Sequence, residues 1–278
     1  HRAGPAELGR SPSGPEEDMI RRVLFVVLVL YIVVPLLMPI IFSFSVFWQD
    51  ILPQGFTLRW YEAILTRPAN YEALLVSLTV ALGAVLLNGM IAVPAAYALN
   101  RAGPGWGRRL REGAVILPLL FPPLVVGTAL LQAFTRPPLA LTGTIWMVII
   151  AHAILGFPFM FRIVLASFQT IDERTLSEAA ASLGATFWQR MRYVLIPNVM
   201  PGILSGALLV FAISMGEFEV TSMVAGFTAQ TLPLRLFQQI RNDMRIASAI
   251  TAFLIYVSFL SFALMTYLGA RMRRLRAS

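Results

Sequence analysis

Apolar residues gather in six long runs separated by polar punctuation, at residues 23–47, 73–99, 114–134, 144–166, 202–225 and 246–270. A helix that crosses a bilayer needs roughly 20 consecutive apolar residues. The pattern therefore predicts an all-α polytopic membrane bundle of about six transmembrane helices, spanning residues 21–278 behind a flexible polar tail at 1–20. Met19 stands as a candidate start within that tail. The first run begins after Arg21 and Arg22, as a cleaved leader would. It is longer than the 7–15 or so apolar residues of a leader core and has no A-x-A site, so it is expected to stay in the membrane.

Prolines fall inside the runs at Pro35, Pro39, Pro94, Pro118, Pro122, Pro123 and Pro158. Each removes a backbone donor, so a helix broken there belongs in a packed bundle or along a pathway. Membrane helices also simply tolerate proline, and both readings stay open. On one side, Trp48, Trp60 and Tyr61 suit a headgroup belt, and residues 57–65 could form a short surface helix. On the same side, Gln230, Gln238, Gln239, Asn242 and Asp243 offer a polar landing surface for a partner.

Composition agrees with the pattern. Hydrophobic residues make up 58% of the 278 and charged residues 13%, about half the charged share of an ordinary soluble domain. The net charge of +8 would suit nucleic acid, but the arginines lie beside the apolar runs, where the positive-inside rule accounts for them. No nucleic-acid partner is expected. With the N-terminus inside, sixteen arginines fall on the inner side, including Arg101, Arg108, Arg109, Arg111, Arg162, Arg174, Arg190 and Arg192. Six fall outside: Arg59, Arg67, Arg136, Arg235, Arg241 and Arg245. Both termini are therefore expected in the cytoplasm of a cell whose inner membrane this chain crosses repeatedly. Arg162, near the inner end of its run, is expected to snorkel.

The chain has no cysteine, and every one of its basic residues is arginine. Disulfides and thiolate metal sites are thereby excluded. So is the phosphate loop G-x-x-x-x-G-K-[ST], which requires lysine. His152 has no second histidine or carboxylate at metal spacing, so a packed or hydrogen-bonded role is expected and no metal site. Neither HExxH nor a nucleophile–base pair marks an enzyme. A secondary transporter or channel would show internal repeats or paired broken helices, and no repeat is evident.

The longest polar insertion on the inner side covers residues 169–200. Thr170 with Glu173, and Thr175 with Glu178, fit capping boxes. Helix formers run to Leu183, Gly184 is a natural stop, and a second short helix, 186–195, is expected to end before Pro197. Singly, Glu178 could only cap, Gly184 only terminate, and Trp188 only rest at the interface. Together they form Glu178-Ala179-Ala180, three residues, Gly184, nine residues, then Val194-Leu195-Ile196-Pro197. This arrangement resembles the signature loop of binding-protein-dependent permeases of the ABC importer family, with Val and Ile as conservative departures at two apolar positions.

The resemblance implies that the loop is a coupling-helix element seated in a cleft of a separate ATPase, which holds the ATP and Mg; this chain then needs no cofactor. Glu178 would pair with a basic group of the ATPase. Ala179 and Ala180 would allow close approach, Gly184 and Ala185 the bend, and Thr186, Phe187 and Trp188 would lie in the inserting segment. Two ATPase copies imply a second permease half, identical or different, and an extracytoplasmic binding protein delivers the substrate.

Within the fifth run, Glu217 and Glu219 are candidates for the substrate path, because a carboxylate at bilayer depth costs about 2.5–3.5 kcal/mol and should face a cavity or partner. On a regular helix they lie about 200° apart, so either one faces the sister subunit or the helix breaks near Gly216. They could hold a cation, or be structural, or line a gate. The stretch around Gly216, with Thr231-Leu232-Pro233, is similar to polyamine, ferric-iron and phosphonate permeases; sugar permeases share the docking loop.

Overall fold

The computed structural model describes residues 15–48, 53–102 and 117–277, with single positions 105, 109, 113 and 115 between the last two stretches. Its helices are α1 (Pro15–Ser43), α2 (Arg59–Thr66), α3 (Pro68–Arg101), α4 (Pro123–Phe134), α5 (Ile145–Gln169), α6 (Glu173–Ser182), α7 (Phe187–Arg190), α8 (Ile196–Gly216), α9 (Glu219–Val224), α10 (Leu232–Ile240) and α11 (Met244–Ala277). Strands β1 (Ser45–Phe47) and β2 (Gln54–Phe56) pair antiparallel in a small hairpin after α1. Residues 1–14 of the expected tail lie outside the described residues; residues 15–20, also expected to be tail, are instead the first turns of α1.

Among the described residues, five helical stretches are long and apolar enough to cross a membrane, joined by one shorter apolar helix, α4. The chain is a multi-pass membrane bundle, in line with the expected all-α architecture of about six helices. The third expected run begins at residue 114, outside the described residues, and from residue 117 on it is not one continuous helix, for a reason visible in its prolines. Leu117–Leu120 forms a tight 3-10 turn, Pro122 is held extended ahead of Pro123, and the helix begins only there. Twelve α-helical residues reach about 18 Å, so the α-helix alone covers only part of the roughly 30 Å hydrocarbon core. Pro35, Pro39, Pro94 and Pro158, by contrast, are carried inside continuous helices.

Helices α3, α5 and α8 form the centre. Lipid tails are as apolar as leucine, so such helices associate through close packing of small residues. Ala84, Ala92 and Ala96 of α3 are fully buried against Val164 and Phe168 of α5 and Val199 and Val210 of α8. Glycines make the α5–α8 seam tight. A Cβ at Gly202 would fall on the Ser167 side chain, one at Gly206 on Met160, and one at Gly156 on Val210 and Asn88. Gly202→Val is therefore expected to cost about 1–3 kcal/mol by overpacking, read as a lower Tm and poorer yield in detergent. Gly216→Ala, whose Cβ meets nothing within 4 Å, serves as the neutral control. Equal stability of the two variants would refute the seam.

A second layer caps the expected outer end. Residues 59–66 do form a short helix, but Trp60 does not sit in a headgroup belt. It is buried, its Nε1 donates to the Ser45 carbonyl at 2.8 Å, and the guanidinium groups of Arg59 and Arg245 lie over its ring. Asn70 donates to the Ala63 carbonyl and accepts from Arg235 Nε, while Ser77 Oγ accepts from the Leu232 backbone N–H. These bonds lock α2 and α10 over α3 and α11, and within the polar stretch Gln239 is buried rather than presented to a partner.

Candidate functional site

Among the described residues, two polar groupings stand apart from that outer layer: the α6–α7 segment and the break between α8 and α9. In the first, neither expected capping box forms. Asp172 is the N-cap of α6, accepting from the Thr175 backbone N–H at 3.2 Å. Hydrogen bonds from the Thr175 hydroxyl and backbone hold the Asp172 carboxyl below the usual carboxylate range. Aspartate is a strong N-cap, which leaves Thr170 to close α5 through the Ser167 carbonyl. Glu178 instead pairs with Arg174 Nε at 3.0 Å one turn away, with both side chains exposed.

Helix α6 stops at Gly184, whose φ of +83° few other residues adopt. The Gly184 N–H donates to the Ala181 carbonyl, and the Ala185 N–H reaches back to the Ala180 carbonyl at 3.1 Å, the closure typical of a glycine helix end. The chain restarts through a capping box at Thr186 and Gln189. The T-x-x-Q spacing is the sequence signal for this box. Ala179, Gly184 and Thr186 are exposed and Ala180 and Ala185 half-buried, while Leu183, Trp188 and Phe187 expose 89%, 76% and 44% of their surface.

Behind this exposed elbow the segment is fastened to the bundle. Glu173 is buried with its carboxylate 3.9 Å from Arg101 Nη1, and that nitrogen donates to the Tyr97 hydroxyl at 2.8 Å. The Phe187 ring packs at 6.1 Å from Tyr97, and Arg190 donates to Ser177 Oγ. A polar cavity of about 670 Å³ opens between Arg101, Gln169, Asp172 and Glu178.

The second short helix was expected to end before Pro197. It does not: α7 passes through a widened π turn, Met191–Leu195, straight into α8, with Pro197 in the first turn of that helix. Proline is tolerated there because its missing N–H falls where the ladder is already re-registered.

Helix α8 ends at Gly216. Glu217 is extended, with φ −73° and ψ 128°, and α9 starts at Glu219. The Glu217 carboxylate folds back onto α9, accepting from the N–H of Val220 at 2.8 Å, the N–H of Thr221 at 3.0 Å and the Thr221 hydroxyl at 2.6 Å. His152, alone in sequence, meets this group in space and is hydrogen-bonded as expected. Its Nδ1 lies 2.6 Å from Ser214 Oγ, and its Nε2 lies 2.7 Å from Thr221 Oγ1 and 3.4 Å from Glu217 Oε2. Glu219 is exposed, so the break keeps the two carboxylates in different surroundings. Ser214 and Thr221 carried no mark in the sequence as its partners.

The sequence profile of the family described as "binding-protein-dependent transport system inner membrane component" matches residues 89–274. The chain is 34% identical, over 91% of its own length and 92% of the relative's, to a Salmonella typhimurium protein named as the permease PhnV of a 2-aminoethylphosphonate transport system. It is 30% identical, over 76% of each chain, to the Escherichia coli putrescine transport system permease PotI. It is 32% identical, over 73% of its length and 95% of the relative's, to the molybdenum transport system permease ModB of Haemophilus influenzae. Its fold matches a chain of a bacterial ABC transporter for alginate import, with TM-score 0.65 and 17% identity over 95% of this chain and 99% of that one. It also matches a chain of the MetNI methionine ABC transporter, with TM-score 0.58 and 19% identity over 77% and 97%. With its E-A-A elbow, its five long membrane helices and a profile match over most of its length, this chain belongs to the family of binding-protein-dependent transport system inner membrane components, the permeases of ABC importers.

Proposed function

We propose that this permease forms half of a translocation path for a small charged solute and is driven by two copies of a separate ATPase, which hold the ATP and Mg. The observation that carries this reading is the elbow at Gly184. It leaves Leu183 and Trp188 in water, where each large apolar side chain forfeits about 1.5–3 kcal/mol, while the same segment is fastened to α3 through Glu173 on Arg101 and Phe187 on Tyr97. A fixed base with an uncovered apolar tip suits a groove on a partner. The second permease half, identical or different, would cover apolar surface such as α1, which is exposed along residues 19–37. A binding protein would deliver solute from the far side. The relatives' named cargoes favour a phosphonate or polyamine class, with an aminophosphonate the first to try.

Affinity purification through this chain, expressed together with its ATPase, tests the reading. The expected preparation contains both, and hydrolysis rises when loaded binding protein is added. A permease that carries its solute with no ATPase bound would refute it. The arginine pattern supports an orientation with both termini and the elbow in the cytoplasm. Because the chain has no cysteine, Ser278→Cys should label only with reagents admitted to the cytoplasmic side, and Phe227→Cys, at a residue 99% exposed, only from outside. Reversed labelling would overturn the orientation.

A further inference from the structure

Residues 187–216 run as one helical stretch of 30 residues, about 45 Å long. One end carries Phe187 and Trp188 of the elbow; the other stops at Gly216. Displacement of the elbow reaches the α8–α9 break along one unbroken helical path, which includes the π turn at the elbow end and carries Pro201 within α8. Beyond the break, α9 is only six residues long and packs elsewhere. Val220 and Val224 are buried against Val148 and Ala151 of α5, and Gly127 of α4 lies directly on Val220 and Met223. Across the break the chain is extended, a conformation that by itself transmits little.

We propose that His152 is the joint that carries motion of the α7–α8 rod across this break to α9 and α4. This rests on the coupling reading above. From α5, His152 grips both sides at once: Ser214 in the last turn of α8 through Nδ1, and Thr221 of α9 through Nε2. Its side chain is 1% exposed, Ser214 is 5% exposed and Thr221 0%.

The donors fall into one consistent order. The Thr221 hydroxyl donates to Glu217, so its oxygen accepts from His152 Nε2–H, and Nδ1, left as the acceptor, takes the Ser214 hydroxyl. With a proton on Nε2 and the Ser214 hydroxyl donating to Nδ1, every member is satisfied. Separating α8 from α9 would leave these groups unpaired in an apolar interior, which a buried network resists strongly. The two pieces therefore move together, with α5 as their bearing.

The test measures solute moved per ATP hydrolysed in the complete complex reconstituted in vesicles. His152→Ala and Thr221→Val should still assemble with the ATPase and respond to binding protein. Solute moved per ATP should fall about tenfold, with the KM for loaded binding protein unchanged. His152→Gln, which keeps an N–H for Thr221, should recover part of the loss. The double variant should lose little more than either single one, because both cut the same link. Unchanged solute per ATP in both single variants overturns the joint, and so does a loss that appears as a raised KM. Should His152→Ala fail to assemble, Thr221→Val decides, since it keeps the side chain's shape and both backbone bonds to Glu217. Absence of any ATPase from the wild-type preparation would instead remove the coupling reading, and the joint with it.

Discussion

Gly184→Trp is expected to abolish solute uptake while leaving the membrane bundle assembled. The backbone at this position has φ +83°, and a side chain there costs about 1–2 kcal/mol of local strain. That strain is confined to the turn, because an added Cβ would meet nothing within 4 Å and the buried clusters lie among α3, α5 and α8. What an indole would occupy is the space in front of Leu183 and Trp188, where the partner is proposed to seat. Blocking the centre of such a contact should cost about 2 kcal/mol or more, a fall of at least about tenfold in uptake and in ATPase recovered with the permease. Gly184→Ala separates the two effects, since it carries the backbone strain without the bulk. It should lose a few-fold at most. Wild-type uptake by the tryptophan variant would show that the elbow does not dock.

The features legible in the sequence were those fixed over short range or by the solvent. Bilayer thickness dictates the length of an apolar run, so α3, α5 and α11 could be located to within a few residues before any packing was known. Gly184 announced its turn because few other residues tolerate that backbone. Pairings that depend on tertiary placement were not legible. His152 and Glu217 lie in different runs, and nothing local to either says that they meet. Trp60 looked like an interface residue until Ser45 and two arginines enclosed it. The prolines, for which both readings stood open in the sequence, divide between the two. Pro197, expected to end a helix, is absorbed by the π turn before it, whereas Pro118, Pro122 and Pro123 shorten the helix within the third run. Whether a proline breaks a helix depends on whether neighbouring turns can take up the lost bond, and a one-dimensional pattern does not contain that information.

Replacing Glu217 should damage assembly before it changes any affinity for solute. Its carboxylate serves the backbone N–H groups of Val220 and Thr221 and the Thr221 hydroxyl, beside His152. Glu217→Ala leaves those three donors without acceptors in a buried place, at about 1–3 kcal/mol for each unmet group. A loss of about 3 kcal/mol or more is expected, seen as a sharply lower Tm and a smaller assembled fraction. Glu217→Gln keeps one oxygen for α9 and should fall between alanine and wild type. Glu219 has no such duties: it is exposed, and Ser222 bonds only its backbone carbonyl. Glu219→Gln should therefore leave Tm unchanged, and a raised KM for transport in that variant would make Glu219 the carboxylate that meets the solute. A Glu217→Ala protein with wild-type Tm and a raised KM would reverse the assignment, placing the path at the carboxylate that the geometry commits to holding α9.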